Sequence, residues 1–420
     1  MYDNIQKGIY YRKDHKIGNS FSILFLKISP NTSASNISNL LSGLWTRIQN
    51  LEKGIIKDLD INPRRRSSGN LSALIGYGSN VFTLKDIKKQ KPSSFNDEWN
   101  FIQPDVNGGG PVVNGSSTIY SKEITHNSVI DSHIIIQFIA DTEFHTHRAL
   151  VETWKELYIL NNNNSYPIQI SNFYTGFHSP DGRNLIGFHD GISNIKSSER
   201  LNVITIKSNN IPKEKWLING SYLSFLRISF NLEAWESLHI DKQEILIGRD
   251  KETGCPIVSI DRKGKPIKDS RCPVFGTYDV TEAGNEQFRN LPIYNTKHYA
   301  RSDITKLLQN SHISKNSPLT IMMGKNSSSN QVFRQGFQFI EPNEFINKFN
   351  IGLNFICFQN SLEKIFNLLT YDKNNTAHHS KSNEFNKSFQ DFFSVKAAGS
   401  FLIPPYKKNE PFPGSNIFIE

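Results

Sequence analysis

Hydrophobic and polar positions along the chain follow two periods in turn. Ser20–Ser29 (SFSILFLKIS) is a nearly continuous apolar run, which predicts a strand. Thr32-Ser33-Ala34-Ser35 then offers N-caps to a segment that sets Leu40, Leu41, Leu44 and Ile48 at helical spacing. Leu71–Leu84 predicts further strands, Ile124–Ala140 a strongly β-branched one, and Thr142–Leu160 an amphipathic helix ending in the Asn161–Asn164 loop. A second round begins at Gly220. GSYLSFLRISF reads as a strand, Asn231–His239 as a helix, and Leu319–Met323 and Val332–Ile340 as two short strands. Leu353–Gln359 follows as a strand, Ser361–Leu369 as a helix and Ser394–Pro404 as a last strand. Two rounds of similar order predict an α+β fold of two ferredoxin-like domains, with antiparallel sheets and flanking helices. The boundary is expected at 180/181, giving units 1–180 and 181–420.

Composition narrows this picture in three ways. No window approaches the roughly 18 apolar residues of a membrane span, and the run Phe21–Ile28 is interrupted by Ser22 and Lys27. That run lies late and lacks the basic flank and cleavage site of a secretory signal, so a cytoplasmic location is expected; an exported form with an omitted leader stays open. Cys255, Cys272 and Cys357 are too few and too scattered for a disulfide framework, which points to a reducing compartment. The net charge of +9 suits an anionic partner: nucleic acid, lipid headgroups or a carboxylate-bearing cofactor. Pro63-Arg64-Arg65-Arg66 reads as a solvated loop, because no aromatic side chains interleave it.

Two segments carry candidate chemistry. In Asn184–Asn194 (NLIGFHDGISN), Gly187 and Gly191 bracket Asp190, so the backbone can approach a flat ligand and the acid can project into a pocket. The alternative is a β-turn in which Asp190 caps its own backbone. Further on, Ser311-His312-Ile313 opens a loop that ends in Ser317-Pro318, and Arg334 follows within VFRQGFQF. Neutral imidazole suits haem iron, although a lone histidine is usually no ligand. Arg334 lies between Phe333 and Phe337 on a predicted strand and is expensive to bury without an anion, which suggests an inward, functional position. None of the twelve histidines has the spacing of a zinc site with a supporting acid.

GFHDG at 187–191, followed by Asn194, resembles the GxxDG fingerprint of dye-decolorising peroxidases. Gln6-Lys7-Gly8-Ile9 is similar to that family's opening QxGI, DSHIIIQFIAD at 131–141 to its first-domain strand, and GSYLSFLRISFNLEAWE at 220–236 to its GSYLVVRRIR region. GRDKETGCPI at 248–257, SHISKNSP at 311–318, FRQGFQF at 333–339 and GLNFICFQNSLEKIF at 352–366 keep the family's order, so the resemblance runs nearly end to end. The subgroup it resembles is the peroxidase and deferrochelatase branch.

The resemblance implies one haem b per chain, held mainly by the second unit. His312 would be the proximal iron ligand, and Asp190 and Arg334 would lie on the distal face as proton shuttle and charge stabiliser. Gly191, Ile192, Arg227, Ser317 and Pro318 would line the haem site. The implied partners are hydrogen peroxide and small organic reductants, without nucleic acid or membrane, in a homo-dimer or larger homo-oligomer. Departures from the pattern are Ile195 for proline, Leu319 and Leu226 for arginines, and Gln335 for an arginine expected to alter charge at the pocket entrance. Arg227 is open between a haem contact and a structural ion pair. Glu363 is only a guess for the acid polarising the proximal histidine, and Trp235 is expected in the core. Two rival readings are a haem-handling deferrochelatase and a non-enzymatic anion- or nucleic-acid-binding protein.

Overall fold

The computed structural model describes residues 4–9, 18–59, 67–95, 112–113, 116–117, 129–161, 166–179, 181–189, 195, 197–208, 214–255, 257–268, 331–343, 348–365 and 392–419. In chain order these form β1 (Ser20–Ile28), α1 (Ala34–Glu52), β2 (Ser72–Tyr77), β3 (Val112–Val113), β4 (Ser116–Ser117), β5 (Ile134–Ala140), α2 (Glu143–Leu160) and β6 (Ile168–Phe177). The second half adds α3 (Ser197–Ile204), β7 (Ser221–Phe230), α4 (Leu232–Glu236), α5 (Ile240–Ile247), β8 (Ile257–Ile260), β9 (Pro266–Lys268), β10 (Phe333–Pro342), β11 (Phe349–Gln359) and β12 (Phe393–Ile403).

Eight antiparallel strands close into one barrel in the order β1-β5-β2-β12-β7-β11-β10-β6. Each half of the chain supplies four contiguous strands, so the two expected sheets are present and joined edge to edge. Alternate residues of every strand point into the barrel, where Phe21, Phe25, Ile135, Leu223, Phe225, Phe333, Phe337 and Phe358 form a buried core. Phe21 and Phe337 stack across it with centroids 4.6 Å apart. The other parity faces outward. On the N-terminal half it packs beneath α1 and α2 through Leu24, Leu26, Ile136, Phe138, Leu41, Leu44 and Leu157. Ser33 starts α1 by accepting a hydrogen bond from the Asn36 amide.

The joins between halves are narrow. β2 meets β12 through the single pair Tyr77–Leu402, and β6 meets β10 through Phe177–Gln338. Gln6 fills the first gap: its Nε2 donates to the carbonyls of Ile75 and Pro404, and its Oε1 accepts from the Ile75 amide. The opening QxGI segment is therefore a strut of the barrel, followed by Gly8 at φ +84° and by Ile9 in the core.

Several expectations change. The second half of Leu71–Leu84 is a 3-10 turn over Ser79–Thr83, because Gly78 runs so close to the Ser132 carbonyl that a side chain would collide with it. Past Asn231, a short α4 gives way at His239 to an unexpected α5. β6 was not expected from the pattern. A bulge opposite Phe25 and Leu26 flips its parity, sending Ile168 and Ile170 outward but Tyr174 inward, so no single alternation survives in the sequence. The expected strand Leu319–Met323 lies outside the described residues, as do the ends of Ile124–Ala140 and Ser361–Leu369. No helix among the described residues is long and apolar enough to cross a membrane.

Candidate functional site

The outward face of the C-terminal half carries a graded row across four adjacent strands. Arg334 on β10 pairs in register with Cys357 on β11, Cys357 with Ser224 on β7, and Ser224 with Ser400 on β12. The neighbouring row runs Gly336, Phe355, Leu226 and Ala398. This face is covered by the chain itself: Cys357, Leu226 and Ala398 belong to a buried cluster with Phe95, Leu362 and Ile365, and Arg334 is half-buried at the end of the row. Ser224 and Ser400 hydroxyls lie 3.3 Å apart, and Gln359 Nε2 donates to Ser224 Oγ. Burial pushes the Cys357 thiol far up, so it stays protonated despite the nearby Arg334 cation.

Arg334 itself points away from the barrel interior, whereas its neighbours Phe333 and Phe337 point into it. Its inward position is thus corrected: alternation with inward aromatics is what places it outside. The same parity corrects Gln335, which is buried in the interior and donates to the carbonyls of Gly8 and Ile9 rather than flanking a pocket entrance.

Arg227 also belongs to the interior, on the face opposite Arg334. Its guanidinium lies 3.5 Å from the Phe339 ring centroid and 4.2 Å from that of Tyr174. It donates to Asn354 Oδ1 at 2.7 Å and pairs with Glu341 at 2.6 Å. Burial depresses its pKa and the Glu341 carboxylate opposes that shift. These contacts support the ion-pair alternative. The strand residue on the Arg334 face is Leu226.

The turn that leads into Asp190 is described up to His189. Asn184 Oδ1 and its backbone amide bond Phe188, and Gly187 adopts φ +88° with Lys251 Cε so near that a Cβ there would sit 2.5 Å from it. The positive φ favours glycine at 187, and a Cβ there would also push the flexible end of Lys251 aside. Arg183 fastens this turn to the 251–252 turn: Nη1 donates to the carbonyls of Gly187 and Lys251, and Nη2 to that of Glu252. His189 bonds the Glu252 carbonyl, and burial, aided by the Arg183 charge, lowers its pKa. Beneath, Asp250 accepts from Thr253 and pairs with Lys268 at 2.5 Å. Burial would raise Asp250, but Lys268 and Thr253 outweigh it and hold it low, while burial pushes adjacent Glu244 up to about 7.

Asp190, Gly191, Ile192, His312, Ser317 and Pro318 lie outside the described residues, and so do Leu319 and the basic run 64–66. Glu363 is exposed, which removes the reason for assigning it to a buried histidine. Trp235 is core, 1% exposed and packed edge-on to Phe392 and Phe393. Cys255 is disulfide-bonded, which a reducing compartment did not lead one to expect. Arg183 and Gln338, which the sequence reading passed over, emerge as structural nodes; the arginine stands just before the GxxDG motif, which was the available signal.

Residues 181–408, more than half of the chain, match the sequence model of the family described as "Dyp-type peroxidase, C-terminal". The chain belongs to the Dyp-type peroxidase family. The deferrochelatase of Yersinia pestis bv. Antiqua (strain Nepal516) is 25% identical over 186 residues, which are 44% of this chain and 35% of that protein. The chain therefore spans about a third of the length of the curated relatives it matches. Ferric DtpA from Streptomyces lividans superposes with a TM-score of 0.69 at 17% identity, covering 100% of this chain and 97% of the other. A DypB variant from Rhodococcus jostii in complex with heme gives 0.58 at 15% identity, covering 95% of each chain. These likenesses establish the Dyp-type fold across the chain.

Proposed function

We propose that this Dyp-type chain is a haem-dependent peroxidase that reduces hydrogen peroxide and oxidises small organic, dye-like or phenolic reductants. The observation that carries the reading is the match of residues 181–408 to the Dyp-type family, with Arg334 half-buried on the outward parity of β10. A permanent cation on that strand suits an anionic group beside it. Arg334 and Arg227 are the described residues among those expected at the haem. His312 would ligate it, with Asp190, Gly191, Ile192, Ser317 and Pro318 around it and Arg334 alongside. Arg227, already committed to Glu341 and Asn354, is left out of that set.

When bound, haem supplies the redox chemistry: two electrons from two reductant molecules convert peroxide to two waters, with two protons taken up. The chain's own residues manage charge and protons. The Asp190 carboxylate takes the proton from one peroxide oxygen and returns it to the other as the O–O bond breaks. Arg334 holds a positive charge where negative charge develops and favours the ionised form of Asp190.

The likeness to deferrochelatases supports a second reading, in which the chain removes iron from haem and peroxidase activity is incidental. A non-enzymatic anion- or nucleic-acid-binding protein is the remaining rival, supported only by the net charge of +9. The unit boundary at 180/181 is kept, supported by the narrow joins between the halves. A homo-dimer or larger oligomer goes with the peroxidase reading. The disulfide at Cys255 favours an exported form over the cytoplasmic one.

Absorption spectra of the protein and of His312→Ala, each titrated with haemin, test the proposal. A Soret band at about one haem per chain that shifts or vanishes in the variant is expected. A parent that takes up no haemin overturns both haem readings. Porphyrin fluorescence appearing as iron is released, without dye oxidation, overturns the peroxidase reading in favour of the deferrochelatase.

A further inference from the structure

We propose that Arg183 is a positioning residue, the node that fixes the segment entering Asp190 relative to the strand bearing Arg334. This rests on the peroxidase reading above. Three connections meet at Arg183. Its guanidinium donates to the carbonyls of Gly187, Lys251 and Glu252 at 2.6–2.8 Å, tying the turn that ends at His189 to the 251–252 turn. Its own carbonyl accepts from Gln338 Nε2 at 2.8 Å. Gln338 is 3% exposed, stands on β10 four residues beyond Arg334, and shares Arg334's strand parity.

One side chain and one carbonyl thus connect the Asp190 segment, the 251–252 turn and β10. Lys251 completes the clasp, with its Cε against Gly187 and its Nζ donating to Gln243 Oε1 at 2.9 Å. Reactions that need two groups in register lose about a hundredfold when one is displaced by about 1 Å. A node shared by both carriers is where such a displacement is prevented.

The test uses the haem-loaded chain and three variants, Arg183→Met, Arg183→Lys and Gln338→Met. In Arg183→Met, amide hydrogen exchange in peptides covering 184–189 and 249–255 should quicken at least tenfold while β7 and β11 are unchanged. Peroxide-dependent kcat should fall at least tenfold with KM for the reductant unaltered. Arg183→Lys, which keeps a donor but not the three-way fork, should recover part of both, and Gln338→Met should show the same direction with smaller size. Unchanged exchange in 184–189 overturns the proposal, and so does quickened exchange with full turnover. Exchange still judges the clasp if the parent shows no peroxide turnover, an outcome that sinks the functional reading alone.

Discussion

The four C-terminal strands carry arginines on both faces, and the two are treated in opposite ways. Inside, Arg227 is sandwiched between two rings, paired with Glu341 and bonded to Asn354. Outside, Arg334 is half-buried beside the neutral Cys357 thiol. The interior charge is matched by its partners, and the exterior one lies on the opposite face of the sheet. Residue type alone does not separate the two positions, whereas strand parity does.

The sharpest way to break this contrast is to put a charge on the wrong side. Gln335→Arg, which resembles the family pattern on paper, buries an unpaired guanidinium in the apolar interior and should destabilise by several kcal/mol, leaving little soluble protein. Ile340→Arg, on the outward parity of the same strand and 50% exposed, should be tolerated; comparing soluble yield and thermal midpoint decides it. If both fold equally well, the parity assignment is wrong.

Next come the two native arginines. Arg227→Ala should lose about 3 kcal/mol in denaturant unfolding, less than for a fully buried pair because the Glu341 carboxylate reaches solvent. Arg334→Leu should leave the unfolding midpoint nearly unchanged yet lower peroxide turnover by about a hundredfold. Reversed outcomes would exchange the two roles.

A smaller effect separates the Asp190 turn from the barrel. Gly187→Ala combines a positive φ with the Lys251 contact and should cost about 1–2 kcal/mol. Limited proteolysis near 187 should increase, with strand amide exchange unaffected.

The smallest effect is one of pH. Glu244 is raised to about 7 in the fold against 4.5 as its ordinary value, so the folded state holds the extra proton between those values. Stability is therefore greatest at the acid end and declines as pH rises towards 7. Asp250 is held low, so its contribution is complete above its ordinary value and does not alter this window. Melting curves from pH 5 to 8 should show the decline, and Glu244→Gln should flatten it.

Much of the barrel was legible because its strands are either continuous apolar runs, as at Ser20–Ile28, or regular alternations, as at Phe333–Pro342. β6 was not, since a bulge changes its parity midway. At the site, sequence marked Arg334 but misjudged its direction, because facing in and facing out of a barrel look identical in a period of two. The Arg227 alternative needed the third dimension: its partners Tyr174, Phe339, Glu341 and Asn354 come from three other strands. Arg183 was harder to read for a different reason: its place before the GxxDG motif was a signal, but its partners are backbone carbonyls, which residue identity does not record.

The strut at Gln6 bears on synthesis. Its amide nitrogen bonds the carbonyl of Pro404, 398 positions away, so this join cannot be made while a ribosome is still adding the last strand. Until then Gln6 can hold only Ile75, so sealing of the cylinder belongs among the late events of its folding.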